Sequence, residues 1–304
     1  VAVKGNFDDC QTGVKELFGN EALGKRMRSA GFVFSSANSI NWGRLCPQIV
    51  YYYRAYGTLV AQGGIRAGDP IDFCVPTGNF GNILAGYYAH RMGLPVRRFI
   101  CASNRNRVLT DFFTAGAYDR NRDFHRTMSP SMDILISSNL ERFLFEITGH
   151  DADRIRSWYG SLTDTGHFTV DDRIREKMDE LVEAVWVDES EVLATIKKTY
   201  EQSRYVVDPH TAVGVAAGAT RSSDDVPLVI DSTASPYKFS GSVLKGIEGG
   251  TPDNEFACIE RLREISGSEV HRAVEGLRER PVRHRRCIEP HQMQRTLEEI
   301  LGID

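Results

Sequence analysis

A short glycine-containing segment gives the strongest chemical signal in the sequence. It reads Val75-Pro76-Thr77-Gly78-Asn79-Phe80-Gly81-Asn82, between an apolar run and a stretch with helical spacing. Backbone N–H groups at the start of a helix have no partner within it, and the helix dipole adds positive charge there. Gly78 and Gly81 permit a sharp turn and close approach to an anion, and Thr77 and Asn79 can add side-chain donors. The segment therefore indicates a phosphate site, with a tight turn that binds nothing as the alternative.

The spacing of this segment excludes two common nucleotide sites. It lacks the Gly-Lys-Ser/Thr ending of a nucleotide-binding P-loop, and its two glycines do not fit the dinucleotide fingerprint. A single phosphate at a single helix start remains. Such a site suits a cofactor such as pyridoxal phosphate.

A second polar segment, Ser232-Thr233-Ala234-Ser235-Pro236-Tyr237-Lys238-Phe239, directly follows the predicted strand 227–231. Ligands of open α/β sheets bind outside the carboxyl ends of the strands, which is where Thr233 lies. A hydroxyl facing a pyridine nitrogen can form a hydrogen bond without forcing its protonation. The alternative is a turn threonine that bonds its own backbone.

Further polar residues precede predicted helices. Asn38, Ser39, Asn41 and Arg44 lie before a helix predicted to start near Leu45. They could face a phosphate or carboxylate, and Arg44 could pair with it through two hydrogen bonds. The alternative is a capped helix start with a structural polar network. Ser138 and Asn139 are predicted to form a helix N-cap, and His210 is interpreted as a buried, hydrogen-bonded core histidine.

Short apolar runs alternate with longer segments of helical periodicity, which predicts an α/β fold with a parallel sheet. The predicted strands are 32–35, 71–76, 96–102 and 227–231. The predicted helices are 9–18, 45–61, 82–92, 108–114, 139–148, 171–184, 189–202, 212–217, 254–265 and 290–301. We predict an α/β cofactor-binding domain over 1–150 and 203–240, a mainly helical insertion over 151–202, and a helical C-terminal elaboration over 241–304.

Composition limits the class of protein. The chain has 304 residues, 41% of them hydrophobic, and a net charge of -4, which gives no reason to expect nucleic acid or a membrane surface as partner. No apolar stretch reaches the roughly 20 residues that span a bilayer, and the N-terminus lacks a signal-peptide pattern. The six cysteines are scattered, without zinc-type spacing. We predict a cytoplasmic protein with reduced thiols and no metal site, and leave its oligomeric state open.

Several segments together resemble the threonine synthases. Pro76-Thr77-Gly78-Asn79-Phe80-Gly81 and Thr233 to Phe239 are similar to that family's phosphate loop and pyridine-side loop. Four further blocks occur in family order: Lys4 to Gln11, Ala37 to Arg44, Ser129 to Ile134 with Ser138-Asn139, and Pro209 to Gly214. The resemblance extends from Lys4 to Phe239.

This resemblance implies a fold-type II pyridoxal-phosphate enzyme, similar to the tryptophan synthase β subunit, with parallel twisted sheets flanked by helices. The implied reaction converts O-phospho-L-homoserine and water into L-threonine and phosphate. Thr77, Gly78, Asn79, Phe80 and Gly81 would hold the cofactor phosphate, and Thr233 the ring nitrogen. Asn38, Ser39, Asn41 and Arg44 would contact the substrate.

One element of the family is missing from these blocks. The resemblance places the Schiff-base lysine upstream of Val1, and Lys4, Lys15, Lys25 and Lys238 do not lie in its context. We therefore assign no catalytic residue and expect an N-terminally incomplete fold and an inactive isolated chain. Two alternatives stay open: another type II lyase such as a hydroxy-amino-acid dehydratase, and a non-catalytic small-molecule-binding relic.

Overall fold

The computed structural model describes residues 1–5, 7–221 and 225–303, so Asn6 of the block at 4–11 lies outside it. The chain divides into two compact units, Asn38–Glu275 and Val1–Ala37 together with Gly276–Asp304. All the cofactor and substrate residues predicted from the sequence lie in the larger unit. The domain bounds predicted above stay a prediction.

Strands and helices alternate along the chain. The strands are β1 (Ala2–Val3), β2 (Ile71–Pro76), β3 (Val96–Ser103), β4 (Ala117–Asp119), β5 (His167–Thr169), β6 (Val182–Trp186), β7 (Leu228–Ile230) and β8 (Cys287–Ile288). The helices are α1 (Phe7–Gly19), α2 (Glu21–Ser29), α3 (Trp42–Leu45), α4 (Ile49–Ala61), α5 (Gly81–Arg91), α6 (Val108–Ala115), α7 (Leu140–Ile147), α8 (Ala152–Thr165), α9 (Asp172–Asp179), α10 (Glu189–Ser203), α11 (Pro209–Ala219), α12 (Ser240–Glu248), α13 (Glu255–Ser266) and α14 (Met293–Leu301). Short 3₁₀ turns lie at Cys46–Gln48, Pro130–Met132, Pro236–Phe239, Leu277–Glu279 and Pro290–Gln292.

A four-stranded sheet organises the larger unit. Its strand order is β6-β3-β2-β7, and every neighbouring pair is parallel. All six residues of β2 are buried, as expected for a central strand covered on both faces, and the one charged residue among them, Asp72, is paired with Arg97. Since β2 and β7 are parallel neighbours, the segments that follow Pro76 and Ile230 leave the sheet at the same edge. The predicted α/β fold with a parallel sheet is confirmed.

Helices cover both faces of this sheet. On one face the Tyr52 ring of α4 packs against Phe73 of β2 with centroids 4.9 Å apart. On the other, Ala212 and Val213 of α11 join Cys74 in a second buried cluster. Burial of each large apolar side chain stabilises the fold by about 1.5–3 kcal/mol.

Helix α11 approaches the sheet closely because it carries glycines on that side. A Cβ added at Gly214 would lie 3.1 Å from Ile230 Cγ2, and one at Gly218 would lie 2.8 Å from Leu228 Cδ2. The side chains of Leu228 and Ile230 therefore point toward α11. This orientation determines the face on which the other residues of β7 lie.

Two predicted elements are wrong. Residues 32–35 form no strand, and Val33 is 76% exposed; an apolar run without a neighbouring strand has no ladder to join. The helix predicted over 171–184 ends at Asp179, and the chain then enters β6, which pairs with β3. The β-branched Val182 and Val185 favour that strand, but charged residues before them obscured the pattern. The helices α2, α8 and α12 were not predicted.

The smaller unit is built around its own cluster. Leu23 and Met27 of α2 pack with Ile303, and the Asn20 side chain caps α2 by accepting from Leu23 N at 3.0 Å. The strands β1 and β8 pair in parallel. An ion pair between Arg26 and Glu298 joins α2 to α14.

Membrane-spanning helices and groups of metal ligands are both absent from the described residues. None of the helices in residues 1–5, 7–221 and 225–303 is long and apolar enough to cross a membrane. In the same ranges, no three His, Cys, Asp or Glu side chains form a group that could hold a metal ion.

Candidate functional site

A cavity of about 960 Å³ opens where β2 and β7 end. Its wall combines residues Thr77 to Gly81, hereafter the glycine loop, with the segment after β7 and parts of α3, α4 and α11. Among the residues that line it are Ser39, Arg44, Tyr52, Thr77, Gly78, Asn79, Phe80, Gly81, Asn82, Ser131, Met132, His210, Asp231, Thr233 and Lys238. The structure thus brings Thr77 to Gly81 and Thr233 together at the carboxyl edge of the parallel sheet, with Ser39 and Arg44 lining the same cavity.

The glycine loop leaves a row of main-chain donors unused. Phe80 adopts a left-handed conformation with φ of 61°, while its side chain is fully buried against Phe113 and Phe143. Within the described residues, the backbone N–H groups of Gly78 to Gly81 have no hydrogen-bond partner. Four free donors at the start of α5 form the kind of concave site that binds phosphate.

Side chains inside the loop hold its shape. Thr77 Oγ1 donates to Asn82 Oδ1 at 2.7 Å, and Asn82 Nδ2 donates to the carbonyl of Pro76 at 2.9 Å. The hydroxyl proton of Thr77 is therefore engaged within the loop rather than directed at a ligand. The bracing role of Asn82 was not predicted.

Ser39 lies directly over the start of α5. A Cβ added at Gly81 would lie only 2.3 Å from Ser39 Oγ, so this position needs glycine for the approach. Asn139 Nδ2 donates to Ser39 Oγ at 2.8 Å and to the carbonyl of Asn79 at 2.9 Å. Ser138 Oγ donates to Asn79 Oδ1 at 3.1 Å. Asn139 occupies the N-cap position of α7, in line with the N-cap predicted at Ser138 and Asn139, but its side chain makes no capping bond.

The predicted substrate residues divide into two pairs. Ser39 and Arg44 line the cavity. Asn38 Oδ1 instead accepts from Ile40 N at 3.0 Å, and Asn41 Oδ1 accepts from Gly43 N at 2.9 Å as the N-cap of α3. Neither Asn38 nor Asn41 belongs to the described cavity wall, so their hydrogen bonds match the alternative of a capped helix start.

Arg142 on α7 positions the segment that carries Ser39. Its guanidinium donates to the carbonyls of Ser39 at 3.1 Å and Ile40 at 2.5 Å. It does not line the cavity described above, so any effect on a ligand acts through Ser39. Sequence reasoning missed Arg142 because its partners lie about a hundred residues earlier in the chain.

We expect Arg142→Ala to weaken the binding of inorganic phosphate about 3- to 10-fold, since two charge-assisted hydrogen bonds that hold the Ser39 segment are lost. Isothermal titration with phosphate measures the change. Arg156→Ala is the matched control, because the Arg156 side chain is 71% exposed and its ion pair in the described residues is with Asp153. Equal phosphate affinity in both variants would remove Arg142 from this role.

His210 is a structural residue of the cavity wall. Its Nδ1 lies 2.8 Å from Asp208 Oδ1, and its Nε2 accepts from Ser131 N at 3.2 Å. Accepting at Nε2 requires the neutral tautomer with the proton on Nδ1. Both nitrogens are therefore engaged, as the interpretation of a hydrogen-bonded core histidine predicts. The bond holds Ser131 against the loop, where a Cβ on Gly78 would lie 3.1 Å from the Ser131 carbonyl oxygen.

A buried polar network supports the same wall from behind. Asp133 Oδ1 accepts from Asn104 Nδ2 (2.8 Å), Asn106 Nδ2 (2.9 Å) and Thr127 Oγ1 (2.6 Å). Asp133 Oδ2 accepts from Thr127 N at 2.9 Å. The network fixes the segment 127–133 that carries Ser131. Nothing in the local sequence shows that these residues meet.

Asp231 is a further cavity residue that sequence reasoning missed. It directly follows β7, and its amide donates to the Cys74 carbonyl at 2.9 Å. Burial raises the pKa of its carboxyl to about 7, although a hydrogen bond with Tyr52 acts in the opposite direction. An acidic residue at the carboxyl end of a strand was the available signal.

Comparison with known proteins identifies what this chain is similar to. The family model described as "Threonine synthase, C-terminal" matches residues 211–289. The human protein "Threonine synthase-like 1" is 43% identical over 273 residues, which is 89% of this chain and 35% of that protein. The threonine synthase of Pseudomonas aeruginosa is 40% identical over 256 residues, 83% of this chain and 52% of that protein.

Solved structures share the fold. The structure of pyridoxal-phosphate-bound threonine synthase from Brucella melitensis matches with a TM-score of 0.77 and 34% identity, over 98% of this chain and 58% of that one. Yeast threonine synthase matches with a TM-score of 0.79 and 31% identity, over 99% and 59%. The chain thus spans between about a third and three fifths of the length of these relatives.

Proposed function

Because this chain belongs to the threonine synthase family in sequence and in fold, we propose that its cavity is the phosphate-binding side of a pyridoxal-phosphate site. The whole protein would convert O-phospho-L-homoserine and water into L-threonine and phosphate. The single observation that carries the proposal is the row of free N–H groups at Gly78 to Gly81, closed over by Ser39. The substrate of the whole protein and its cofactor are both part of this proposal.

The residues present suit a phosphate monoester. Four main-chain donors can surround its oxygens, and the Ser39 hydroxyl adjoins them. Arg44 and Lys238 line the same cavity, and neither is in an ion pair within the described residues, so both are available to balance the charge of an anion. The chemistry that pyridoxal phosphate supplies when bound is withdrawal of electrons from a carbon next to the amino group.

The other proposed roles belong to this chain's own side chains. Thr233, at the carboxyl end of β7, would give its hydroxyl to the ring nitrogen of the cofactor. His210 and Asp133 would act only by holding in place the segment 127–133, whose Ser131 lines the cavity. Arg44, next to Ser39, would bind the carboxylate or phosphate of the substrate. Asn38 and Asn41 would act only by fixing the backbone that carries these two residues.

A proton-moving lysine is not assigned. Among the residues that line the cavity in the described ranges, Lys238 is the only lysine, and it belongs to the Lys-Phe block rather than to the context of a Schiff-base lysine. We propose that the isolated chain binds the phosphate but does not complete the reaction. The same observation favours a second candidate function, a small-molecule-binding protein without catalysis.

Binding is tested with pyridoxine 5′-phosphate, which has no aldehyde and so cannot react with surface lysines. We expect this chain to bind it and to bind pyridoxine, which lacks the phosphate, at least tenfold more weakly, because the main-chain donors meet only the phosphate. Equilibrium dialysis measures both affinities. Equal affinity for the two compounds would contradict a phosphate site at Gly78 to Gly81.

Activity separates the two candidate functions. The complete polypeptide encoded by the gene is assayed for threonine and phosphate release from O-phospho-L-homoserine with pyridoxal phosphate present. Product release there, with none from this chain alone, supports the threonine synthase reaction. Phosphate-dependent binding without any product release from the complete polypeptide supports the non-catalytic candidate.

A further inference from the structure

Asp231 lies in the cavity on the side of helix α4. Leu228 and Ile230 point toward α11, and side chains alternate along a strand. Val229 accordingly packs against the cluster that includes Tyr52 and Phe73. Asp231 continues this alternation, so its carboxyl faces Tyr52 while it also lines the cavity.

The hydroxyl of Tyr52 connects Asp231 to the glycine loop. Tyr52 Oη donates to the carbonyl of Asn82 at 2.7 Å. Burial and the neighbouring Asp231 carboxyl both raise the pKa of this hydroxyl. Tyr52 has only one proton to give. A neutral Asp231 can donate to Tyr52 Oη while Tyr52 donates to Asn82, so every group is satisfied. An ionised Asp231 competes with the Asn82 carbonyl for that single proton.

No cation neutralises Asp231 in the described residues. The group facing it is the Tyr52 hydroxyl from α4, which carries no positive charge, whereas the Cys74 thiol of β2 lies on the other face and donates to the Gly214 carbonyl of α11. Arg44, Lys238 and His210 line the same cavity, but within the described ranges none of them forms an ion pair with Asp231. Asp231 is half-buried, and desolvation of its carboxyl without a counter-charge raises its pKa to about 7.

We propose that Asp231 is a specificity-determining residue that couples the binding of a dianion at Gly78 to Gly81 to the uptake of one proton. This inference rests on the proposed phosphate site. Asp231 and Gly78 to Gly81 line the same cavity. Within one cavity a carboxylate and a dianion repel each other appreciably, because the protein screens them less than water does. Protonation removes the repulsion and frees Tyr52 to hold Asn82.

The test uses sulfate, which stays a dianion from pH 5.5 to 8.5, so only groups of the protein titrate. Isothermal titration of this chain is expected to show sulfate binding about tenfold weaker at pH 8.5 than at pH 6. In Asp231→Asn the affinity at pH 8.5 should be at least that of the native chain at pH 6. Asp153→Asn, at an exposed site, is the matched control and should keep the native pH dependence.

Proton uptake is measured on the unaltered chain, so the test does not depend on folding of the variant. Titrations at pH 7.5 in buffers of different ionisation enthalpy should show uptake of a substantial fraction of one proton per sulfate. An identical pH dependence in the native chain and Asp231→Asn, or no proton uptake, would overturn the role of Asp231 and leave the anion site intact. No sulfate binding at any pH would overturn both proposals.

Discussion

Replacement of Gly81 with alanine is expected to weaken the binding of pyridoxine 5′-phosphate or inorganic phosphate about 10- to 100-fold. The added Cβ would lie 2.3 Å from Ser39 Oγ and 3.3 Å from Asn139 Nδ2, so Ser39 must leave its place over the helix start. Hydrogen bonds to charged groups contribute about 1.5–3 kcal/mol, and each 1.4 kcal/mol is a factor of ten in affinity. Isothermal titration or equilibrium dialysis measures the loss.

Gly160→Ala is the matched control for this substitution. Gly160 lies within α8, and nothing lies within 4 Å of a Cβ added there. Alanine in an open helical position stabilises by up to about 1 kcal/mol, and phosphate affinity should not change. Gly81 lies outside the left-handed region, so alanine brings no backbone strain there. Unchanged affinity in Gly81→Ala would show that Ser39 and Gly81 do not form the phosphate site.

The parts of the site that could be predicted are those encoded in short continuous segments. Thr77 to Gly81 follow one buried strand and Thr233 follows another, and parallel strands end at one edge, so their convergence follows from local patterns. Strands β2, β3 and β7 were predictable because each is a short apolar run between turn residues. Gly78 and Gly81 predicted that other groups approach the backbone of this loop closely, as Ser131 and Ser39 do.

The parts that could not be predicted depend on contacts between distant segments. Asn139 fits the local pattern of a helix cap, yet its side-chain amide donates to Ser39, one hundred residues earlier in the chain. Arg142 and the network of Asp133 are of the same kind, because their roles come from partners brought near only by tertiary packing. Strand β6 was obscured for a related reason: its place at the sheet edge is decided by β3 rather than by its own sequence.

Asp133→Ala is expected to lower the free energy of unfolding by about 3–5 kcal/mol. Asp133 is 5% exposed, and the substitution removes the acceptor of four donors, the Asn104 and Asn106 amides and the Thr127 hydroxyl and main-chain N–H. A buried donor without an acceptor costs about 1–3 kcal/mol, and loss of one partner of a buried charged network costs more than loss of a surface pair. Urea unfolding followed by circular dichroism measures the change.

The control for Asp133→Ala is Asp153→Ala. The side chain of Asp153 is 92% exposed and, in the part of the chain that the structure describes, pairs with Arg156, so its removal should leave the unfolding midpoint unchanged. Because Asp133 holds the segment that carries Ser131 beside Gly78, we also expect phosphate affinity to fall in Asp133→Ala under conditions where the variant is folded. A variant as stable as Asp153→Ala would mean that water replaces the carboxylate, and that this network does not hold the wall of the site.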